Sequence, residues 1–162
     1  MKQLLALYKY RGDERKEQVL AQMVRYACSQ LVGSAAGRHQ VDYVTYVPLS
    51  PERLSERGFN QAERMAREVS RYCGAPVVSL LERTRHTGKQ SYKSRSERLA
   101  DMRSAFRLRE DEWKRIANKH LERRLHIIVV DDVYTTGSTL NSCAKQITER
   151  LPADVYGITW AR

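Results

Sequence analysis

Two adjacent carboxylates, Asp131 and Asp132, close an apolar run and are followed by Thr135, Thr136, Gly137, Ser138 and Thr139. Ionised carboxylates only accept hydrogen bonds, so a neighbouring pair suits a vicinal diol, a Mg²⁺ ion with its waters, or both. The hydroxyls around Gly137 are donors, and a glycine there lets backbone come close to a ligand. Diol, metal and phosphate contacts together describe a phosphorylated ribose. The competing reading is an ordinary strand-to-helix turn capped by Ser and Thr. An acid pair set directly ahead of the turn favours the ligand.

The elements on either side put this chemistry where ligands bind. Ile127, Ile128, Val129 and Val130 read as a central strand buried on both faces of a parallel sheet. Leu140, Cys143, Ala144, Ile147 and Leu151 recur every three or four residues, which predicts an amphipathic helix from about Thr139 to Leu151. Ligands in open α/β sheets sit beyond the carboxyl ends of strands, and a helix N-terminus there adds roughly half a positive charge.

Earlier in the chain, Val19, Leu20, Met23, Val24, Ala27 and Leu31 form one helix face, after a short helix through Leu4 and a turn at Gly12. The stretch Val41 to Val47 reads as a strand stopped by Pro48. A helix follows, with Asn60 as its cap, Ala62, Met65, Ala66, Val69 and Tyr72 facing inward, and Gly74 at its end. "PVVSLL" reads as a further strand, as do "AFRL" and the closing "DVYGITWA", with a charged helix from about Asp111 to Lys119. Strands alternating with helices predict an α/β fold with a mostly parallel central sheet flanked by helices.

The 162 residues, 41% of them hydrophobic, fit a single domain that buries about 70% of its unfolded surface. No 18-residue apolar run or signal-peptide pattern occurs, so neither membrane insertion nor secretion is expected. Cys28, Cys73 and Cys143 lack metal or disulfide spacing and read as reduced thiols of a cytoplasmic protein; His39, His86, His120 and His126 are scattered, so no structural metal is expected. The net charge of +10 is uneven. Arg83 to Arg109 holds nine basic residues and two acidic ones, an excess of +7. The polar first part of this stretch, about residues 83–105, reads as an exposed basic loop suited to phosphates.

Beyond the acid pair and its T-G-S-T loop, which resemble the phosphoribosyl pyrophosphate (PRPP) loop of type I phosphoribosyltransferases, three stretches narrow the resemblance. "KYRGD" (Lys9 to Asp13), "VPLSPERLSERGFNQA" (Val47 to Ala62) and "LLERTRHTGKQSYKSRSERLADMRSAF" (Leu80 to Phe106) stand in the order and spacing of the ComF/ComFC family. The resemblance implies a type I phosphoribosyltransferase-like fold, PRPP bound with Mg²⁺, and a part in DNA uptake during bacterial natural transformation. It also implies single-stranded DNA and competence proteins such as a DNA-uptake helicase as partners, met on the cytoplasmic side of the membrane. Members of the family commonly carry a four-cysteine zinc module ahead of "KYRGD"; the sequence has none there, and no zinc is expected.

Carried over position by position, the resemblance implies that Asp131 and Asp132 hold the ribose and Mg²⁺, and that Thr135 to Thr139 cradle the 5′-phosphate. Pro48, Leu49 and Ser50 would form the pyrophosphate loop, with Arg53 and Arg57 as anion contacts; Gly58, Phe59, Asn60 and Gln61 serve either as contacts or as a turn and cap. Arg83, Arg85, Thr87, Lys89, Gln90, Arg95 and Arg98 would belong to a loop over PRPP or along DNA, where Tyr92 or Phe59 could stack on bases. Two functions follow. One is a DNA-binding module that retains PRPP; the other is an active Mg²⁺-dependent transferase of nucleobase-salvage type, whose acceptor the sequence does not name.

Overall fold

The structure, a computed structural model, describes residues 22–30, 40–84, 105–120 and 123–161. Residues 22–30 are helical (α1). They are followed by β1 (Tyr43–Tyr46), α2 (Pro51–Arg57), α3 (Gln61–Cys73), β2 (Leu81–Arg83), β3 (Phe106–Leu108), α4 (Glu110–Lys119), β4 (Leu125–Val133), α5 (Ser138–Thr148) and β5 (Ala153–Ala161). The readings at Leu4, Gly12, Val19, Leu20 and Leu31 lie outside the described residues, as do His39 and His86.

Three strands form a parallel sheet in the order β1-β4-β5, with Tyr43 opposite Ile127 and Leu125 opposite Ala153. The most apolar strand lies in the middle, as a run of β-branched residues requires. Strand alternation then builds two cores. Leu125, Ile127 and Val129 pack with Ile116 of α4 and Cys143 and Ile147 of α5; Ile128 and Val130 pack on the other face with Val24 and Cys28 of α1 and Met65, Ala66 and Val69 of α3. Burial of each Val, Leu, Ile or Met side chain among them stabilises the fold by about 1.5–3 kcal/mol.

Two readings are corrected. "PVVSLL" is not a strand of the parallel sheet: Val77 makes a single parallel bridge to Val44, and β2, which begins at Leu81, pairs antiparallel with β3. Past the bridge the backbone N–H of Leu80 donates to the Thr45 hydroxyl, 3.4 Å away, rather than to a strand carbonyl. Tyr72 does not face inward but is 45% exposed, in the last turn of a helix whose buried residues end at Val69.

β1 therefore meets the segment at Val77 on one edge and β4 on the other. This is where strand order reverses, and ligands of open α/β sheets bind outside the carboxyl ends of strands at such a point.

Candidate functional site

A cleft of about 220 Å³ opens at that point, between the loop after β1 and the end of β4. Its walls include Pro48, Leu49, Arg53, Arg57, Asn60, Gln61, Arg83, Asp131, Asp132 and Thr139. The reach of the cleft across both sides of the sheet comes from the end of β4. Alternation turns Asp131 toward the α5 side and Asp132 toward the α3 side, and both line the cleft. Asp131 Oδ1 also accepts a 2.8 Å hydrogen bond from the Asp132 backbone N–H, near the end of the strand.

On the β1 side, Ser50 is buried and caps α2, accepting from the Arg53 N–H at 3.4 Å. α2 buries none of its residues and is stopped by Gly58 in the left-handed region at φ +72°, so its caps and neighbours hold it. Asn60 is the main brace: its Nδ2 donates to the Val47 carbonyl (3.0 Å) and its Oδ1 accepts from the Ala62 N–H (3.0 Å), tying the loop after β1 to the start of α3. Gln61 is 1% exposed, and its Oε1 accepts from Arg57 at 3.2 Å. Its Nε2 is a buried donor on the cleft wall with no partner among the described residues.

Arg83 ends β2, and its guanidinium lies 5.5 Å from the centre of the Phe106 ring. Burial lowers its pKa, repulsion from Arg53 lowers it further, and attraction to Asp131 opposes both. Two guanidiniums held near each other in a cleft favour an anion between them. Behind Asp131, burial and then the carboxylate push the Cys143 thiol up to about 12, which makes it a packing residue rather than a nucleophile.

Thr135 and Thr136 are exposed, and the chain enters α5 through the buried Gly137. Gly137, at φ +77°, caps the helix without a side-chain hydrogen bond, and a Cβ there would lie 2.7 Å from the Tyr134 hydroxyl. Thr136 Oγ1 and Ser138 Oγ are 2.8 Å apart, and Ser138 N–H donates to Thr136 at 3.4 Å. The result is a helix N-terminus flanked by four hydroxyl-bearing residues, Thr135, Thr136, Ser138 and Thr139, and following Asp132 in the chain, an arrangement suited to phosphate.

The fold thus gathers Leu49, Arg53, Arg57, Arg83, Asp131, Asp132 and Thr139 around one cleft; Thr135, Thr136, Gly137 and Ser138 form the adjoining turn, and Ser50 lies behind its helix. Arg85, Thr87, Lys89, Gln90, Tyr92, Arg95 and Arg98 lie outside the described residues. Sequence reasoning missed Phe106 and Tyr134. An aromatic residue inside an otherwise polar loop was the available signal for Tyr134. Among the described residues no group of three or more His, Cys, Asp or Glu side chains could hold a metal ion. Nor is any helix among them long and apolar enough to cross a membrane.

Among solved structures, glutamine PRPP amidotransferase from Bacillus subtilis, complexed with ADP and GMP, aligns with 86% of the chain at a TM-score of 0.50 and 16% identity, using 26% of its own length. A hypothetical protein from Neisseria gonorrhoeae with bound ppGpp aligns with 86% of the chain and 65% of its own, also at 0.50, with 10% identity. The protein has the phosphoribosyltransferase fold. No family model matches the chain. Among curated proteins, competence protein ComFC of Bacillus subtilis is 31% identical over 150 residues, 93% of the chain and 54% of the relative. Competence protein F of Haemophilus influenzae is 31% identical over 146 residues, 88% of the chain and 59% of the relative. DNA utilization protein YhgH of Escherichia coli K12 is 34% identical over 105 residues, 64% of the chain and 42% of the relative. Over most of its own length the chain is similar to proteins named ComFC and competence protein F, and it spans a little over half the length of these two relatives.

Proposed function

We propose that the protein takes part in DNA uptake and utilisation by binding single-stranded DNA, and that its strand-end cleft holds PRPP with Mg²⁺. The convergence of Arg53, Arg57 and Arg83 on the carboxylates at the end of β4, beside the N-terminus of α5, carries this reading. Asp131 and Asp132 accept from the ribose hydroxyls, the turn at Gly137 takes the 5′-phosphate, and the arginines take the diphosphate. The buried Gln61 Nε2, without an acceptor among the described residues, gains one when an anion enters the cleft. Asp131 and Asp132 would hold a Mg²⁺ ion, which is commonly bound through one or two carboxylates together with substrate phosphates. When bound it supplies charge neutralisation. The names of the competence and DNA utilization relatives support the DNA role, and the basic stretch from Arg83 to Arg109 supplies charge for it.

The decisive experiment titrates the protein with Mg²⁺-PRPP and with single-stranded DNA, each alone and then together. Saturable binding of both supports the reading, and competition assigns them to one cleft. Failure of either ligand to bind removes that half of it. The Arg53 and Arg83 pair also suits a departing pyrophosphate, which favours a transferase as the second reading. Incubation with Mg²⁺, PRPP and a panel of nucleobases separates the two: the binding-module reading expects pyrophosphate release no faster than without a base, and base-dependent release establishes the transferase.

A further inference from the structure

The β2-β3 hairpin has two faces. Arg83 looks into the strand-end cleft with Phe106, whereas Glu82 and Arg107, paired across the strands, line a second and larger cavity of about 440 Å³. Trp113 of α4 and Gln146 and Arg150, from the end of α5 onward, complete it. The volume is within the usual range of small-molecule sites.

The polar groups of this cavity are not equivalent. Glu82 is neutralised by Arg107, and Glu110 by Lys114 one helical turn on. Arg150 makes no salt bridge among the described residues; its guanidinium stands 5.9 Å from the Trp113 ring centre, with Lys114 Nζ at the same distance. The Gln146 amide makes no side-chain hydrogen bond among the described residues. Trp113 packs against the apolar core and still lines the cavity, so its position is fixed from behind. A braced indole, an amide with its donors and acceptor available, and a cation in no salt bridge among the described residues, though within the field of Glu110, are groups that recognise an unstacked nucleobase and its phosphate.

We propose that the Trp113 cavity is a second subsite in which a base of single-stranded DNA stacks on the indole, with Gln146 at the base edge and Arg150 at the neighbouring phosphate. The inference rests on the single-stranded DNA reading above and adds a site on the far side of the hairpin from the PRPP cleft. Stacking on an aromatic side chain is sequence-tolerant, so the subsite grips a strand without reading it.

The chain has two tryptophans, Trp113 and the buried Trp160, so Trp160→Phe leaves Trp113 as the only indole reporter. A short oligodeoxyadenylate is expected to quench that fluorescence. Trp113→Leu should weaken oligonucleotide binding about tenfold and Trp113→Phe much less, as expected for loss of one stacked base. Gln146→Ala and Arg150→Ala, on the cavity wall, should weaken it less than Trp113→Leu while leaving the fold intact. Mg²⁺-PRPP affinity, unchanged in each variant, reports that the cleft is still folded. Oligonucleotide binding without quenching, or equal affinity in wild type and all three truncations, overturns the Trp113 site while leaving the DNA reading standing. No oligonucleotide binding by wild type overturns both. Quenching by dAMP as strong as by the oligonucleotide assigns the cavity to a free nucleotide and overturns the strand assignment.

Discussion

At the amino end of the parallel sheet, Asp42 accepts from Arg123 and from the His126 backbone N–H, and Arg124 meets Asp154 at 2.7 Å. At the carboxyl end, Asp131 and Asp132 share a cleft with Arg53, Arg57 and Arg83. The residue types are the same, but their placement differs. Charges at the amino end sit on strand and loop positions next to their partners and are satisfied inside the protein. Those at the carboxyl end keep two guanidiniums in mutual repulsion and stand beside a buried donor of Gln61 that has no partner among the described residues. The first arrangement stabilises the fold slightly, as exposed ion pairs do. The second costs the empty protein something and is offset when an anion enters.

Neutralising one end and then the other should break this symmetry of composition. Asp131→Asn with Asp132→Asn is expected to weaken Mg²⁺-PRPP binding by about 2–4 kcal/mol, counting one charge-assisted hydrogen bond per acid at about 1.5–3 kcal/mol and allowing for partial non-additivity. Asp154→Asn should leave calorimetric affinity unchanged. Equal affinities in the double variant and wild type contradict the assignment.

The DNA term has its own signature. A strand held through about five phosphates gives a log-log salt slope near −3.5, or roughly a hundredfold loss of affinity between about 50 and about 200 mM salt. Neutralising Arg83, Arg85, Lys89 and Arg95 should flatten that slope in fluorescence anisotropy as well as weaken binding. A slope unchanged by the four substitutions would remove this stretch from DNA contact.

Gly137→Ala should destabilise the fold by about 1–2 kcal/mol, because the left-handed backbone at φ +77° excludes a Cβ without strain. The same substitution drives a methyl against the Tyr134 hydroxyl. Adding Tyr134→Ala relieves the contact but not the backbone, so denaturant titration should recover only part of the loss. Full recovery would locate the whole effect in Tyr134.

The smallest effect belongs to the amino end. His120 Nε2 lies 2.9 Å from the Tyr43 hydroxyl, and its pKa is lowered from 6.5 by burial and then by Arg123 and Lys119. Below 6.5 the unfolded chain therefore binds more protons than the folded one, and stability falls as pH drops through that window. His120→Gln should reduce the loss of thermal stability between about pH 7.5 and about pH 5.5. The change is small because the ring is solvent-screened.

The cleft was legible where one element carries consecutive site residues. β4 and α5 follow from an unbroken β-branched run, an acid pair and a helical period, and the family resemblance set Arg53 and Arg57 in the loop after β1, which lines the same cleft. Segments whose fate depends on a distant partner were not legible. "PVVSLL" has strand composition, yet only Val77 bridges to β1 and the chain pairs next in the β2-β3 hairpin, with the Leu80 N–H on the Thr45 hydroxyl. Arg83 belongs, by sequence, to the start of a basic stretch; only the register of β2 on β3 sets it beside Phe106 and the cleft while Glu82 looks the other way. Trp113, in a highly charged helix, gave no periodic signal, because its surroundings come from β2, β3 and α5.

Amide chemical-shift mapping with Mg²⁺-PRPP compares the two ends of the sheet in one experiment. The largest shifts are expected at Asp132, Gly137, Ser138 and Thr139, with changes at Gln61 and none at Asp42, His126 or Asp154. Saturable shifts concentrated at the amino end, or no shifts at saturating ligand, would contradict the account.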